Sequence, residues 1–287
     1  MRHVQLRAFH NVAIYGGFSR AAEALHLTQP AISDQVKKLE EEYDIRLFDR
    51  QKRRVVVTEK GAALLEITNR LFDHEQHARE FLSESRALSL GVLRLVVDSA
   101  YHVTSILGRF RARFPGIHIT MQVGNSIDVM SQLAAYEADI GVLGELPEGA
   151  NFEVMALGCA PLIGFAAKGS QYENVRLESY RDIAQYPLVL REQGSKTRQQ
   201  LESAAKKSGV RLQATIEAEG RDAVREVVAS GAGIGFVSMV EFGNDERLVK
   251  LPLPKPRPVM VESLICLRER RDQKMIAAFM EMARNTV

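Results

Sequence analysis

The sequence of 287 residues has no tryptophan, only two cysteines and no long apolar run. Cys159 and Cys266 stand alone and fit no metal-ligand spacing, which excludes a zinc ribbon and a disulfide-stapled secreted domain. We expect both thiols to be buried and reduced, as in a cytoplasmic protein; a redox switch is the alternative. Because no stretch approaches the roughly 20 apolar residues of a membrane span, and residues 1–4 do not open a signal peptide, no membrane partner is expected.

The chain also lacks a strong charge imbalance, since its 38 Lys and Arg nearly balance its 36 Asp and Glu. A net charge of +2 does not by itself indicate a nucleic-acid partner. The basic excess is instead local, because residues 1–60 contain 11 basic and 8 acidic side chains. The length suits two or three domains, so different parts of the chain can have different partners.

The stretch from Phe18 to Glu40 has the pattern of two short helices that meet at a tight corner. Ser19 suits the N-cap of the first helix, and Pro30 suits the first turn of the second, which Thr28 or Gln29 can cap. The second helix has an apolar face at helical spacing, formed by Ile32, Val36 and Leu39. Short polar residues and a lysine lie on its other face, as a DNA major groove requires. The pattern predicts a helix-turn-helix; an ordinary αα-corner is the alternative.

Two short strands, from Ile45 to Phe48 and from Arg54 to Val57, are predicted around a basic turn. The basic residues in or beside the turn are Arg50, Lys52, Arg53 and Arg54. A basic turn alone is typical of a solvated loop, but beside a recognition helix it indicates contact with phosphates or with the minor groove. The residues predicted to contact DNA are Ser19, Thr28, Gln29, Pro30, Ala31, Ser33, Asp34, Lys37, Arg50, Arg53 and Arg54.

These segments resemble the LysR-type transcriptional regulators. The resemblance is dense over residues 1–65 and is carried by Phe18 to Ala22, Leu27 to Ser33, Ile45 to Arg50 and Val57 to Gly61. It implies a winged helix-turn-helix domain at residues 1–58 that binds a double-stranded DNA operator, with RNA polymerase as a further partner. Asp34 departs from the longer or basic residues that are usual in the family; it tunes sequence choice or pairs with Lys37 or Lys38.

A long helix is predicted from Thr58, its N-cap, to about Leu88. Residues on one of its faces recur at spacings of three and four: Leu64, Ile67, Leu71, His74, Ala78, Phe81, Ser85 and Leu88. This seam predicts contact between two copies of the helix; packing on its own domain is the alternative. In the resembled family, residues 59–89 would be the linker helix of a homodimer or homotetramer, which a two-fold operator requires.

Beyond residue 90 the pattern alternates strands and helices, which predicts two α/β lobes with mainly parallel sheets. Lobe I spans about residues 90–160 and 265–287, and lobe II spans about residues 161–264. Two lobes around a cleft resemble periplasmic binding proteins, as does the effector domain of the LysR family, here residues 90–287. The predicted fold class is α+β and α/β multidomain, with a winged helix-turn-helix, a long linker helix and a two-lobed effector domain.

A ligand would lie at the carboxyl ends of the strands, against helix N-termini. Gly194, Ser195 and Thr197 begin one helix, and Asn125 and Ser126 begin another in the opposite lobe. The two N-termini can converge on one anionic group; plain N-capping is the alternative. The residues predicted to bind the ligand are Ser99, Ala100, Tyr101, His102, Asn125, Ser126, Glu145, Arg191, Gly194, Ser195, Thr197 and Arg221.

Asp98 and Glu145 would suit an ammonium group if they face inward, which would make the ligand zwitterionic. The chain is also similar to the LysR branch associated with aminoethylphosphonate catabolism, in segments that include residues 1–10, 136–145, 191–198 and 216–221. This resemblance implies 2-aminoethylphosphonate as the effector, with its phosphonate at Ser126, Ser195 and Thr197. Arg221 either closes over the ligand or pairs with Glu217 or Glu219.

The function predicted from these features is ligand-responsive regulation of transcription, without catalysis, a cofactor or a metal. The seven histidines do not lie at metal-ligand spacing from cysteines or acidic residues, and no nucleophile elbow or phosphate loop occurs. An enzyme with an accessory DNA-binding head and a ligand-independent architectural DNA binder are the alternatives.

Overall fold

The computed structural model describes residues 1–51, 54–82, 91–144 and 151–286. The chain divides into two compact units, residues 1–82 and residues 83–287. None of the helices in the described residues combines the length and the apolar character needed to cross a membrane.

The first unit consists of helices around one small apolar core and a β-hairpin. Its elements are α1 (His3–Tyr15), α2 (Phe18–Leu25), α3 (Gln29–Tyr43), β1 (Phe48–Gln51), β2 (Arg54–Val57) and α4 (Glu59–Leu82). The three apolar residues predicted on α3 are buried in this core with Phe9 and Val12 of α1. Thr28 caps α3, because its Oγ1 accepts a hydrogen bond from the Ala31 amide at 3.4 Å, with Pro30 in the first turn.

Two predictions about local boundaries in this unit were wrong. Helix α2 begins at Phe18 with Gly17 as its N-cap, so Ser19 lies exposed within the first turn and caps nothing. Strand β1 begins at Phe48 rather than Ile45, and Phe48 pairs with Val57 in an antiparallel ladder. The strand therefore includes part of the segment that was predicted to be the turn.

Helix α4 is anchored at its start by Thr58 and Gly61. The Thr58 hydroxyl donates to the Arg46 carbonyl at 2.7 Å and accepts from the Gly61 amide at 3.0 Å. A Cβ atom at Gly61 would lie 2.3 Å from the Leu47 carbonyl oxygen, so only glycine allows this close approach. One face of α4 packs on α1, where the His10 ring lies 4.6 Å from the Phe72 ring and its Nδ1 lies 3.1 Å from Thr68 Oγ1. Residues 83–89 of the predicted linker helix, including Ser85 and Leu88, lie outside the described residues.

The second unit alternates strands and helices. Its elements are β3 (Gly91–Val97), α5 (Thr104–Arg113), β4 (Ile117–Val123), α6 (Ser126–Ala134), β5 (Ile140–Leu143), β6 (Phe152–Ala167), α7 (Tyr180–Ile183), β7 (Val189–Arg191), α8 (Lys196–Lys207), β8 (Ile216–Ala218), α9 (Arg221–Ala229), β9 (Gly235–Ser238), β10 (Leu248–Leu251), β11 (Val259–Leu267) and α10 (Lys274–Arg284). Short 3-10 turns lie at Ala100–Val103, Met239–Glu241 and Arg268–Arg270. The one-turn helix α7 and strand β10 were not predicted.

One sheet has the strand order β10-β6-β11-β5-β3-β4, with β9 also paired to β6, and β7 pairs with β8 in a second sheet. Strand β3 is parallel to β4 and β5, but the long strands β6 and β11 are antiparallel to each other. The expectation of mainly parallel sheets was wrong here: β6, which begins at Phe152 rather than at Leu162, is antiparallel to β9, β10 and β11.

Strands β6 and β11 run through two apolar cores. On β11, Met260 packs in a core with Leu162 and Leu201, whereas Leu264 packs in another core with Phe110. The register of the β6–β11 ladder shifts between Glu262 and Ser263, where β11 passes from one core to the other. The two lobes are thus joined by a pair of continuous strands.

The two cysteines differ in their surroundings. Cys266 is fully buried, and burial raises the pKa of its thiol to about 11. Cys159 is exposed on β6, so the expectation of two buried thiols was wrong for this residue.

Candidate functional site

The outer face of α3 carries most of the predicted DNA contacts. Thr28, Gln29, Pro30, Ala31, Asp34 and Lys37 are exposed, and Ser33 is half-buried. Asp34 pairs with Lys38 at 2.7 Å, and Lys37 pairs with Glu41 at 3.3 Å, both across one helical turn. The pairing alternative considered for Asp34 is therefore observed.

The hairpin that would form the wing is only partly described. Arg50 lies opposite Val55 in the ladder, and Gln51 lies opposite Arg54. Lys52 and Arg53 lie outside the described residues, and so do the side chains of Arg50 and Arg54. Their contacts with DNA therefore stay predictions.

The N-termini of α6 and α8 meet in the second unit. A Cβ atom built on Gly194, whose φ is +90°, would lie 3.2 Å from the Asn125 side chain and from Ile127 Cδ1. Asn125 is used by the backbone, because its Oδ1 accepts from the amides of Ile127 at 2.9 Å and Asp128 at 3.2 Å. Ser126 is 3% exposed, and its hydroxyl is buried without a hydrogen-bond partner. A buried hydroxyl of this kind is available to a ligand.

Ser195 and Thr197 begin α8 in buried positions, with exposures of 2% and 5%. Ser195 occupies the N-cap position, but its side chain makes no capping hydrogen bond. The alternative function of Ser195, plain N-capping by its side chain, is therefore not observed. The first backbone amides of a helix favour an anion at such a position.

Other predicted ligand residues are placed differently. The Arg191 guanidinium donates to both carboxylate oxygens of Glu192, at 2.8 and 2.7 Å, and Glu192 also accepts from the Gly220 amide at 3.1 Å. Tyr101 is 55% exposed, and Ala100 is half-buried. Ser99 accepts from the Tyr101 amide at 3.3 Å. Glu145 lies outside the described residues.

Arg221 belongs to a buried polar cluster, composed of Asp98, His102, Arg221, Glu241 and Glu262. Arg221 donates to Glu241 Oε1, so its predicted pairing with Glu217 or Glu219 was wrong. His102 Nε2 lies 2.9 Å from the same oxygen and 3.7 Å from Glu262 Oε1. Asp98 faces inward, accepting from the Gly144 amide at 3.0 Å and lying 3.9 Å from Arg221 Nη2. Sequence reasoning missed Glu241 and Glu262 because neither follows a motif.

Burial and neighbouring charges shift the pKa values of this cluster in opposite directions. Burial, followed by the charges of Asp98 and Glu241, raises the pKa of Glu262 to about 8. Burial likewise raises the pKa of Asp98, despite the nearby Arg221. Burial also favours neutral Glu241, but the hydrogen bond from His102 and the charge of Arg221 outweigh it and lower its pKa. Several charged forms therefore compete within one small volume.

A groove of about 870 Å³ lies apart from these residues, along α8 and β8. Its lining includes Arg198, Glu202, Lys206 and Glu217, and none of the predicted ligand residues. Arg198 is held by Glu202 at 2.8 Å and by Glu217. We regard the groove as charged surface rather than as the ligand site.

Two family descriptions match the chain. "Bacterial regulatory helix-turn-helix protein, lysR family" matches residues 3–62, and "LysR substrate binding domain" matches residues 83–287. The chain is 32% identical to a RuBisCO operon transcriptional regulator of Allochromatium vinosum, over 82% of this chain and 78% of that protein. It is 29% identical to the HTH-type transcriptional activator CmpR of Synechocystis, with the same two coverages.

Solved structures of full-length regulators share the fold. A full-length OxyR variant from Pseudomonas aeruginosa superposes with a TM-score of 0.79 at 19% identity, covering 99% of this chain and 94% of that one. CbnR in complex with its target DNA gives a TM-score of 0.70 at 19% identity, covering all of both chains. These matches confirm the predicted fold class. The chain belongs to the LysR family and is a DNA-binding transcriptional regulator with an effector-binding domain, not an enzyme.

Proposed function

We propose that this regulator binds a two-fold operator as a homodimer. We also propose that a small anionic or zwitterionic metabolite, bound between α6 and α8, controls its affinity for the operator. The observation that carries the effector proposal is the buried, unpartnered hydroxyl of Ser126. This hydroxyl belongs to the first residue of α6, next to Asn125, whose side chain Gly194 approaches.

The exposed outer face of α3 supports the DNA part of the proposal. Gln29 and the half-buried Ser33 suit contacts with base edges, whereas the basic hairpin suits contacts with phosphates. Phosphate contacts would hold the protein on any sequence, and α3 would select the operator.

The exposed seam of α4 supports the homodimer. Of the seam residues, Ile67 is 64% exposed and Leu71 is 40% exposed, whereas Leu64 packs within the unit. Thr68 and Phe72, on the neighbouring face, also pack within the unit. An apolar stripe left outside the core of its own unit suits a second copy of the helix. Association of two such dimers would give the homotetramer.

The anionic part of the effector is proposed to bind Ser126, Ser195 and Thr197 with the first amides of α8. Hydroxyls and helix N-terminal amides both donate hydrogen bonds, which an anion accepts. An ammonium group on the same ligand would approach Asp98, whose Oδ1 is buried without a hydrogen-bond partner. The zwitterion 2-aminoethylphosphonate has both groups and is the first candidate on chemical grounds.

The names of relatives favour a different regulated process. The 32% identical protein of Allochromatium vinosum is named as a RuBisCO operon regulator, and the relatives reported above carry no aminoethylphosphonate name. Control of a carbon-fixation operon is therefore the second candidate function. An effector for that process need not have an ammonium group, and the proposed anion site would be the same.

Calorimetric titration of the full chain would test the effector site and separate the two candidates. We expect Ser126→Ala to weaken binding of the effector about 10-fold or more, because a hydrogen bond to a charged group contributes about 1.5–3 kcal/mol. Ser131→Ala, at an exposed position on the same helix, is the matched control. Titrations with 2-aminoethylphosphonate, ethylphosphonate and inorganic phosphate show whether the ammonium group matters. Equal affinities for the Ser126 and Ser131 variants would exclude the proposed anion site.

A further inference from the structure

The cluster around His102 brings three buried carboxyl groups together with one imidazole and one guanidinium. Glu241 and Glu262 are 5% and 2% exposed, and Asp98 is 6% exposed. His102 and Arg221 are the basic groups in contact with these carboxyl groups. Ionised carboxylates at such depth need compensating charge.

Several carboxylate oxygens in this cluster have no hydrogen-bond donor. Neither oxygen of Glu262 has a partner, and the same holds for Glu241 Oε2. Glu262 nevertheless points into the cluster, since its Oε1 lies 3.7 Å from His102 Nε2. Arg221 Nε and Nη2 in the same cluster also lack an acceptor, and buried polar atoms are normally satisfied, so the cluster leaves room for a further group. The carboxylate oxygens would accept a cation as that group.

The spacing of the donor atoms is that of a metal coordination shell. One nitrogen of His102 and one oxygen each of Glu241 and Glu262 lie within 4.8 Å of one another. Among the described residues, these three side chains form a group that could hold a metal ion. Ligands bound to one metal ion at about 2.0–2.2 Å lie roughly 3–4 Å apart. His102 Nε2 meets that spacing with Glu241 at 2.9 Å and with Glu262 at 3.7 Å.

We propose that His102, Glu241 and Glu262 bind a divalent transition-metal ion of the zinc or manganese class, beside the effector cleft. One imidazole nitrogen and two carboxylates form a mixed set that such ions accept, whereas magnesium and calcium prefer oxygen alone. Arg221 donates to the same Glu241 oxygen, Oε1, that lies 2.9 Å from His102 Nε2, so it orients this ligand from outside the coordination shell.

The position of the site gives the ion a structural role. Glu262 stands at the register shift where β11 passes between the two cores, and Glu241 ends the 3-10 turn after β9. His102 lies in the turn after β3, in the other half of the unit. An ion bound by all three residues would therefore tie the two lobes together at the strand pair that joins them.

Titration of the chelator-treated full chain with zinc chloride would test the site, with manganese and magnesium chloride for comparison. We expect one zinc ion to bind and to raise the thermal unfolding temperature, with weaker binding of manganese and no shift from magnesium. Glu262→Gln and His102→Gln should each weaken zinc binding at least 10-fold and abolish the shift. Glu262→Gln should still fold, because glutamine has nearly the same size and shape and adds no charge to the buried cluster.

The exposed pair His3 and Glu75, 3.1 Å apart, offers the matched control. Glu75→Gln should leave zinc stoichiometry and affinity unchanged. The proposal is overturned if the wild type binds no zinc, if Glu262→Gln binds it as tightly as the wild type, or if Glu75→Gln removes the binding instead. It is also overturned if ethylamine, and not zinc, raises the unfolding temperature through Glu262, because the occupant would then be an organic ammonium ion.

Discussion

On the outer face of α3, two side chains that are predicted to contact DNA form ion pairs with neighbours on the same helix. Asp34 is held by Lys38, and Lys37 is held by Glu41, across single helical turns. Exposed pairs of this kind contribute little to stability, but they reduce the repulsion between a carboxylate and the DNA phosphates. Gln29 lies at the exposed start of the helix, and we propose that it, rather than Asp34 or Lys37, reads bases.

Replacing Gln29 with alanine should lower the preference for operator over random DNA by about 1–3 kcal/mol, the contribution of one good base contact. Binding to random DNA should change little, because phosphate contacts provide it. Fluorescence anisotropy with both DNAs at matched salt measures the two affinities. Gln76→Ala, an exposed glutamine on α4, is the control. A parallel loss on both DNAs would contradict the assignment of Gln29 to the major groove.

At the scale of elements, buried ion pairs and strand pairing hold the second unit together. Asp139 precedes β5 and accepts from the Arg94 backbone at 2.7 Å, from its guanidinium at 2.7 Å and from Arg270 at 2.6 Å. Arg94 lies on β3, and Arg270 lies in the turn after β11. One carboxylate therefore joins segments of three neighbouring strands, β11, β5 and β3.

Replacing Asp139 with asparagine should destabilise the chain by about 3–5 kcal/mol at neutral pH, because it leaves buried guanidinium charge uncompensated. Burial favours neutral Asp139, but the hydrogen bonds and charge of Arg94, followed by the charge of Arg270, outweigh it and lower the pKa. A lowered folded-state pKa means that this stabilisation is present above the unfolded value of about 3.9 and is lost as pH falls below it.

Urea denaturation at pH 7 and below pH 4 measures this contribution. The wild type should lose more stability on acidification than Asp139→Asn does. Asp272→Asn changes a carboxylate whose side chain is 81% exposed and should behave like the wild type. An Asp139 variant as stable as the wild type at pH 7 would show that the pairs are energetically neutral.

At the scale of the whole molecule, the exposed seam of α4 is the surface on which the proposed homodimer depends. Leu71→Glu places a charge in the proposed helix pair and should convert dimers to monomers, which analytical ultracentrifugation detects as halved mass. Gln76→Glu adds the same charge to α4 about half a helical turn away from the seam and should leave the mass unchanged. Dimers that persist in the Leu71 variant would place the interface elsewhere. Operator affinity should fall with dimer loss, since two-fold sites need two reading heads.

The sequence by itself was sufficient for features that depend on a few neighbouring residues. Thr28 and Thr58 act as helix caps, and the buried face of α3 follows helical periodicity, because capping and amphipathicity are local effects. Predictions failed where local signals were ambiguous. Gly17 rather than Ser19 is the N-cap of α2. The start of β6 at Phe152 was missed, because the first residues of this strand are half-exposed and lack a long apolar run.

Only the tertiary structure decided which distant side chains share a site. His102 meets Glu241 across 139 positions of sequence, so no spacing rule could connect them. Arg221 pairs with Glu241 rather than with Glu217, which is nearer in sequence, because the fold brings α9 against the turn after β9. The hydroxyl of Ser126 was predicted from its position at a helix start, but only packing showed that it is buried without a partner. Chain neighbours thus determine secondary structure, whereas burial and long-range contacts determine which charges must be compensated.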